Sequence, residues 1–328
     1  MFKRLKAGPP PVPPIWRRNK VTQDPWCGDE EAAHLRAALE RGDVAPVERA
    51  FHNADADRRE FLVHTLTLGS PPLQPIESWP EAAPSSAVAF LFRGSQRVSA
   101  AWDARGSGRA HTVGKRQWDA FFDGLGQAEQ DLDRALDLGA GSTAWSILLV
   151  SGRGLQLSTG EKWARYRRAT ESGGAMAYAA DQHLQSLCAK WSGSHEEMFA
   201  FARETSAQVP DGDPRHRLVP SAHFERAIDF DKERDRERYR SDAAVQDEIL
   251  AAANRSVFFV VESNTPQHTV TLNWFAFAAG YFHRPDIARP LLEQVGRSPT
   301  PEPWDYFLDR AMPLLQQYRK KAGLSAVP

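Results

Sequence analysis

The chain has 328 residues, 41% of them hydrophobic, and a formal net charge of −1. That near-neutrality leaves no global field to gather nucleic acid or an anionic membrane surface, and no apolar run approaches the ~18 residues of a membrane span. Cys27 and Cys188 are the only cysteines, which excludes a disulfide framework and a cysteine-based zinc site.

The N-terminal residues 1–26 read as an extended arm. Pro9, Pro10, Pro11, Pro13 and Pro14 forbid helix and favour polyproline II, and six basic residues precede the first acid, Asp24. The plain reading is a solvated leader; the sharper one is a docking arm for an acidic or proline-reading partner. The arm has no apolar signal core, so a cytoplasmic protein is expected. Arginine outnumbers lysine 32 to 9, which associates with a GC-rich bacterial genome.

Helical periodicity starts at Asp29, with helices expected over 30–41, 44–54 and 58–68. Residues 69–84, rich in proline, read as a crossover closing a small N-terminal helical lobe over 27–84. The main array is expected over 85–325. Helices over 86–105 and 115–138 are each stopped by paired glycines, and 143–151 and 161–170 form the next pair. Residues 175–191 carry the stripe Met176, Ala180, His183, Leu184, Leu187, Cys188 and Trp191. Ser194 followed by Glu197 is a capping box that opens a helix to about Gln208. Helices over 215–230 and 242–259 follow, with the apolar run 257–261 read as a buried helix end. Asp229 to Arg240 holds five acids and five bases, whose helical pairings largely cancel; it reads as a solvated connector, with a protein-docking face as the alternative.

Asn273 to Trp304 carries the strongest signal. Leu272, Phe275, Ala276 and Ala279 face Ala288, Leu292 and Val295 across a short turn, the pattern of an antiparallel helical hairpin. A last helix is expected over 304–322. Trp102, Trp145 and Trp191 lie 43 and 46 residues apart, and Trp118 and Trp163 lie 45 apart, so an internal period accompanies the hairpin. Chains much above roughly 250–300 residues outgrow one core, and stacked repeats escape that limit.

The order Ala288, Leu292, Val295, with Leu272, Phe275 and Ala276 before it, resembles a tetratricopeptide-like repeat over about 35 residues. The strings from Lys190 to Arg203 (KWSGSHEEMFAFAR) and NWFAFA are similar to a group of uncharacterised actinobacterial helical-repeat proteins. The resemblance implies an all-α, α-α superhelical repeat array with a concave groove for a protein or peptide partner.

Chemistry-bearing residues are sparse. His216 and His223, seven apart, with Glu225, are the nearest approach to an acid–base or metal-ligating set. The spacing of a zinc helix is absent, however, and Pro220 interrupts the segment; histidines at helix ends or lining a groove are the simpler reading. His183 reads as a satisfied core residue and Cys188 as packing. Gly139 to Ala144 matches G-x-G-x-x-A, but a helix precedes it where a dinucleotide fold needs a strand. Trp102, Arg105, Trp145, Trp191 and Arg203 are of the types that dominate binding hot spots, and equally of the types that wedge helical interiors. The expectation is an adaptor with no cofactor, no metal, no nucleic acid and no membrane span, binding a protein or peptide through those five residues. The alternative is an accessory metabolic enzyme using His216, His223 and Glu225.

Overall fold

A computed structural model describes residues 23–69, 71–106, 110–260, 263, 265–297 and 299–326, so residues 1–22 of the arm expected over 1–26 lie outside the described residues. Among these residues every regular element is helical. No helix is long and apolar enough to cross a membrane. The chain divides into two compact units between Ser186 and Leu187; residues 23–28 go with the second.

The first unit holds α1 (Glu30–Glu40), α2 (Ala45–Asn53), α3 (Ala56–Leu66), α4 (Gln74–Ala82), α5 (Ala87–Arg105), α6 (Lys115–Asp137), α7 (Ser142–Gly154), α8 (Thr159–Thr170) and nearly all of α9 (Ala177–Leu187). Side-chain caps start several of them: Asp29 accepts the Ala32 N–H, Asp55 that of Arg58, Ser86 that of Ala89 and Ser158 that of Glu161. The expected crossover over 69–84 contains α4. Its Pro75 stands in the first turn, where a missing N–H costs nothing, and Pro80 is tolerated in a helix only nine residues long. The helices of 27–84 therefore share one unit with those up to Ser186, α3 packing on α5 and α7, and α4 on α5.

Helix α6 buries Phe121, Leu125, Ala128, Leu132 and Ala135 along one stripe, against α5 and α7. Close approach to α5 depends on Gly94, where an added Cβ would stand 2.7 Å from Leu132 Cγ. The G-x-G-x-x-A run is the turn from α6 into α7, with Gly139 N–H bonded to Leu136 O.

In the second unit come α10 (His195–Gln208), α11 (Leu218–Ile228), α12 (Glu233–Arg240), α13 (Ala243–Arg255), α14 (Pro266–Tyr281), α15 (Pro285–Val295) and α16 (Ala311–Lys321), with 3-10 turns at Ala189–Trp191, Pro214–Arg217 and Trp304–Arg310. The capping box takes a variant form: Ser194 Oγ accepts the Glu197 N–H at 3.1 Å and itself donates to Glu197 Oε2 at 3.2 Å. The charged connector is helical as α12, held at both ends by its arginines: Arg236 donates to Phe230 O, and Arg240 to Tyr281 O. Residues 256–259 form a turn after α13, burying Val257 and leaving Phe259 exposed.

The α14–α15 hairpin forms as expected, through a tight turn with His283 at φ 60°. α14 also packs on α11, α13 and α16. It is buried from Thr271 through Tyr281 on every side, as a helix apolar all round must be. Gly280 admits Tyr318 of α16, whose Cδ2 would lie 2.3 Å from an added Cβ.

Candidate functional site

The residues expected to carry chemistry enter three separate networks of the second unit. His216 is fully buried, with Nδ1 2.8 Å from Ser206 Oγ and Nε2 3.0 Å from Pro210 O. Both ring nitrogens are thus occupied in tying α10 to the turn before α11, and burial lowers the pKa of the ring. Glu225, also buried, receives Lys190 Nζ on Oε2 and Tyr306 Oη on Oε1, each at 2.6 Å. An ammonium and a phenol satisfy this carboxylate and fix the segment after α15 to α11.

His223 lies elsewhere. Its Nδ1 is 2.7 Å from Tyr239 Oη and its Nε2 is 3.1 Å from Glu248 Oε2; Arg203 grips Glu248 through Nε at 2.6 Å and Nη2 at 2.8 Å. The hydrogen-bond bonds to Arg203 and His223 hold the Glu248 carboxyl at about 2, well below its ordinary range. Burial pushes the Tyr239 phenol well above its ordinary range, so its hydroxyl keeps its proton. The three residues grouped on sequence spacing thus face three different partner sets: His216, in the 3-10 turn before α11, meets α10, while His223 and Glu225 on α11 point to α12 and α13 and to the 3-10 turn at Trp304–Arg310.

Of the five expected groove residues, Trp102 and Arg105 meet in the first unit. The Arg105 guanidinium lies 5.7 Å from the Trp102 ring and 5.1 Å from that of Trp118, and Arg153 covers Trp102 at 5.1 Å. Trp102 packs edge-on against Phe121 at 4.8 Å, and Trp118 stacks on Phe122 at 5.5 Å and 15°. Phe122 is 42% exposed. Trp145 belongs to a different cluster, with Leu149, Ala169, Met176 and Ala179, under Arg168 at 4.5 Å. In the second unit, Arg203 lies over Phe199 at 4.8 Å while holding Glu248, and Trp191 sits half-buried in the 3-10 turn after α9.

The sequence reading missed Trp118, Phe122 and Arg153. The spacing of Trp118 and Phe122, four apart on a helix, was available as a signal for a stacked pair; that Phe122 points to solvent was not. Tyr239 was hidden in a run read only for charge.

His183 is fully buried, stacked on Tyr166 at 4.5 Å and edge-on to Trp163 at 4.3 Å. Burial, with Lys162 and Arg167 near, holds its pKa down to about 3. A recess of about 40 Å³ lined by His64, Thr67, Ser95, Ser99, Trp102 and Tyr178 has space for a few waters at most. No group of three or more histidine, cysteine or acidic side chains among the described residues is arranged to hold a metal ion. Compared with protein-family models, curated proteins and solved structures, the chain matches none.

Proposed function

We propose that this chain is a helical adaptor that binds a protein or peptide partner, and that the contact centres on the aromatic–arginine face at the start of α6. One observation carries the reading: Phe122 stands in solvent with its ring stacked on Trp118, while Arg105 lies over Trp118 and anchors it to α5. A large aromatic ring left in water has an unfavourable solvation free energy that a partner would relieve, and pre-stacked rings lose little conformational entropy on binding. Trp and Arg are the side chains most often found at the centre of such contacts. Asp119 and Asp123 are exposed beside Phe122, which favours a partner presenting an apolar side chain next to lysine or arginine. A tetratricopeptide-like stacking of the helical hairpins, the α14–α15 pair among them, is part of the same proposal.

The alternative enzyme reading required His216, His223 and Glu225 to share one site, and their separate partners weigh against it. The test places a photo-crosslinking residue at position 122, and at exposed position 196 as control, in the full chain inside cells. A partner captured at 122 alone, whose purified form binds Phe122→Asp at least about tenfold more weakly, is the expected result. Unchanged binding by Phe122→Asp overturns the proposal.

A further inference from the structure

Arg226 of α11 makes no ion pair with a carboxylate among the described residues. Its guanidinium is stacked over Phe230 at 4.1 Å, and its Nη1 lies 3.1 Å from His195 Nε2. We propose that the outer face of α10–α12 is a binding site for a phosphate monoester, with Arg226 and His195 as its donors. The proposal is independent of the adaptor reading, which rests on the other unit.

His195 shows what the cluster lacks. Its Nε2 is 2.9 Å from Asp229 Oδ2 as well as 3.1 Å from Arg226 Nη1. One ring nitrogen offers either a proton or a lone pair. When it donates to Asp229, it meets the guanidinium donor-to-donor; when it accepts from Arg226, it turns its lone pair toward a carboxylate. The other nitrogen, Nδ1, is buried without a partner. The pair therefore has donors in excess and no acceptor placed between them, and an oxyanion supplies that acceptor.

The neighbours favour the same ligand. Tyr239 and Arg226 both pack on the Phe230 ring, Tyr239 at 5.5 Å between ring centres, and both Arg203 and Arg226 bear electrostatically on the Tyr239 hydroxyl. The nearby acids already have partners: Glu248 is held by Arg203 and His223, and Asp229 by His195. The Tyr239 hydroxyl lies 2.7 Å from His223 Nδ1, beside the same face. Donors arriving from separate helices suit a tetrahedral phosphoryl group. The fork of Arg226, oriented by Phe230, suits two of its oxygens.

The test titrates the full chain with inorganic phosphate, phenyl phosphate and a phosphotyrosine peptide, followed by calorimetry and by the ¹⁵N signals of Arg226 Nε and the His195 ring. Saturable binding that moves those signals is expected. Arg226→Gln should weaken it by about tenfold or more, the loss of one charge-assisted contact. Arg226→Lys, which keeps the charge without the fork, should fall between them. Arg234→Gln, on the exposed side of α12, should bind as the parent chain does. A peptide preferred over phenyl phosphate by tenfold assigns the ligand to a phosphorylated protein; equal binding assigns it to a small phosphate ester. No saturable binding of any probe overturns the proposal, as does Arg226→Gln binding unchanged or Arg234→Gln weakening binding equally.

Discussion

Where α5 meets α6, Arg93 Nε and Nη2 close on both oxygens of Asp131 at 3.0 and 2.8 Å, and Arg97 Nη1 joins at 2.7 Å. Where α14 meets α15, the contact is Leu272, Phe275, Ala276 and Ala279 against Ala288, Leu291, Leu292 and Val295, with no ion pair across it among the described residues. Both are helix pairs joined by short connections. The first adds to its apolar stripe a set of charges withdrawn from water, which are strong only while their partners are present. The second is held by apolar area, which is lost in proportion to the atoms removed.

The largest expected effect separates the two. Asp131→Ala should destabilise the chain by about 3–5 kcal/mol, because Arg93 and Arg97 lose their one buried carboxylate and keep only the more exposed Glu81 and Glu77, while Arg93 remains buried. Urea denaturation followed by circular dichroism measures it. Replacing all three charges with Met, Met and Leu should be close to neutral, since paired apolar groups need no partner; a triple variant as unstable as Asp131→Ala alone would break the comparison.

Next, Leu292→Ala in the apolar hairpin should cost about 2–5 kcal/mol. Its size should not change between low salt and 1 M salt, whereas a fall with salt would show that charges reach this hairpin too.

A smaller effect is expected from pH. Glu60 is buried, with its carboxylate accepting the Tyr178 and Ala179 N–H groups at 3.0 and 2.9 Å, yet burial pushes it from 4.5 up to about 8. The folded chain therefore holds a proton that the unfolded chain releases, and stability falls as pH rises from about 4.5 to 8. His183, lowered from 6.5 to about 3, works the other way: its contribution is lost as pH falls from 6.5 toward 3. The two oppose each other below 6.5, leaving Glu60 alone above it. Denaturation at pH 6.5, 7.2 and 8 should show declining stability for the parent chain and a flatter profile for Glu60→Gln. A flat parent profile would show that the two backbone N–H donors outweigh burial at this site.

The smallest effect is expected at Lys115. Its ion pair with Asp119 is fully in water, and Lys115→Ala should leave the denaturation midpoint unchanged within error. A clear shift would mean that the exposed face of α6 is held by more than its buried stripe.

Local signals made most of the helices legible. Ser194, Ser86 and Asp29 announce their helix starts, and the stripe of α6 repeats at helical spacing over its whole length. The miss at α4 came from weighing Pro75 and Pro80 as breakers, when one occupies a first-turn position and the other a helix too short to be divided by it. The candidate sites were less legible. The residue types on α11 were recognisable, but Glu225 reaches the phenol of Tyr306 and His223 that of Tyr239, partners that no spacing along the chain relates.

Periodicity and capping by themselves determined that this chain is helical and where its helices begin, since those signals act within one or two turns. They also determined that residues 266–295 form a hairpin, because a short connection between two apolar faces leaves them little choice but each other. Only the tertiary structure decided that His216, His223 and Glu225 part company, that Phe122 stays in water, and that Arg226 has no carboxylate in ion-pair range among the described residues. A side chain's partners depend on which helices arrive beside it, and those helices are brought there by apolar burial that is indifferent to the polar groups it carries along.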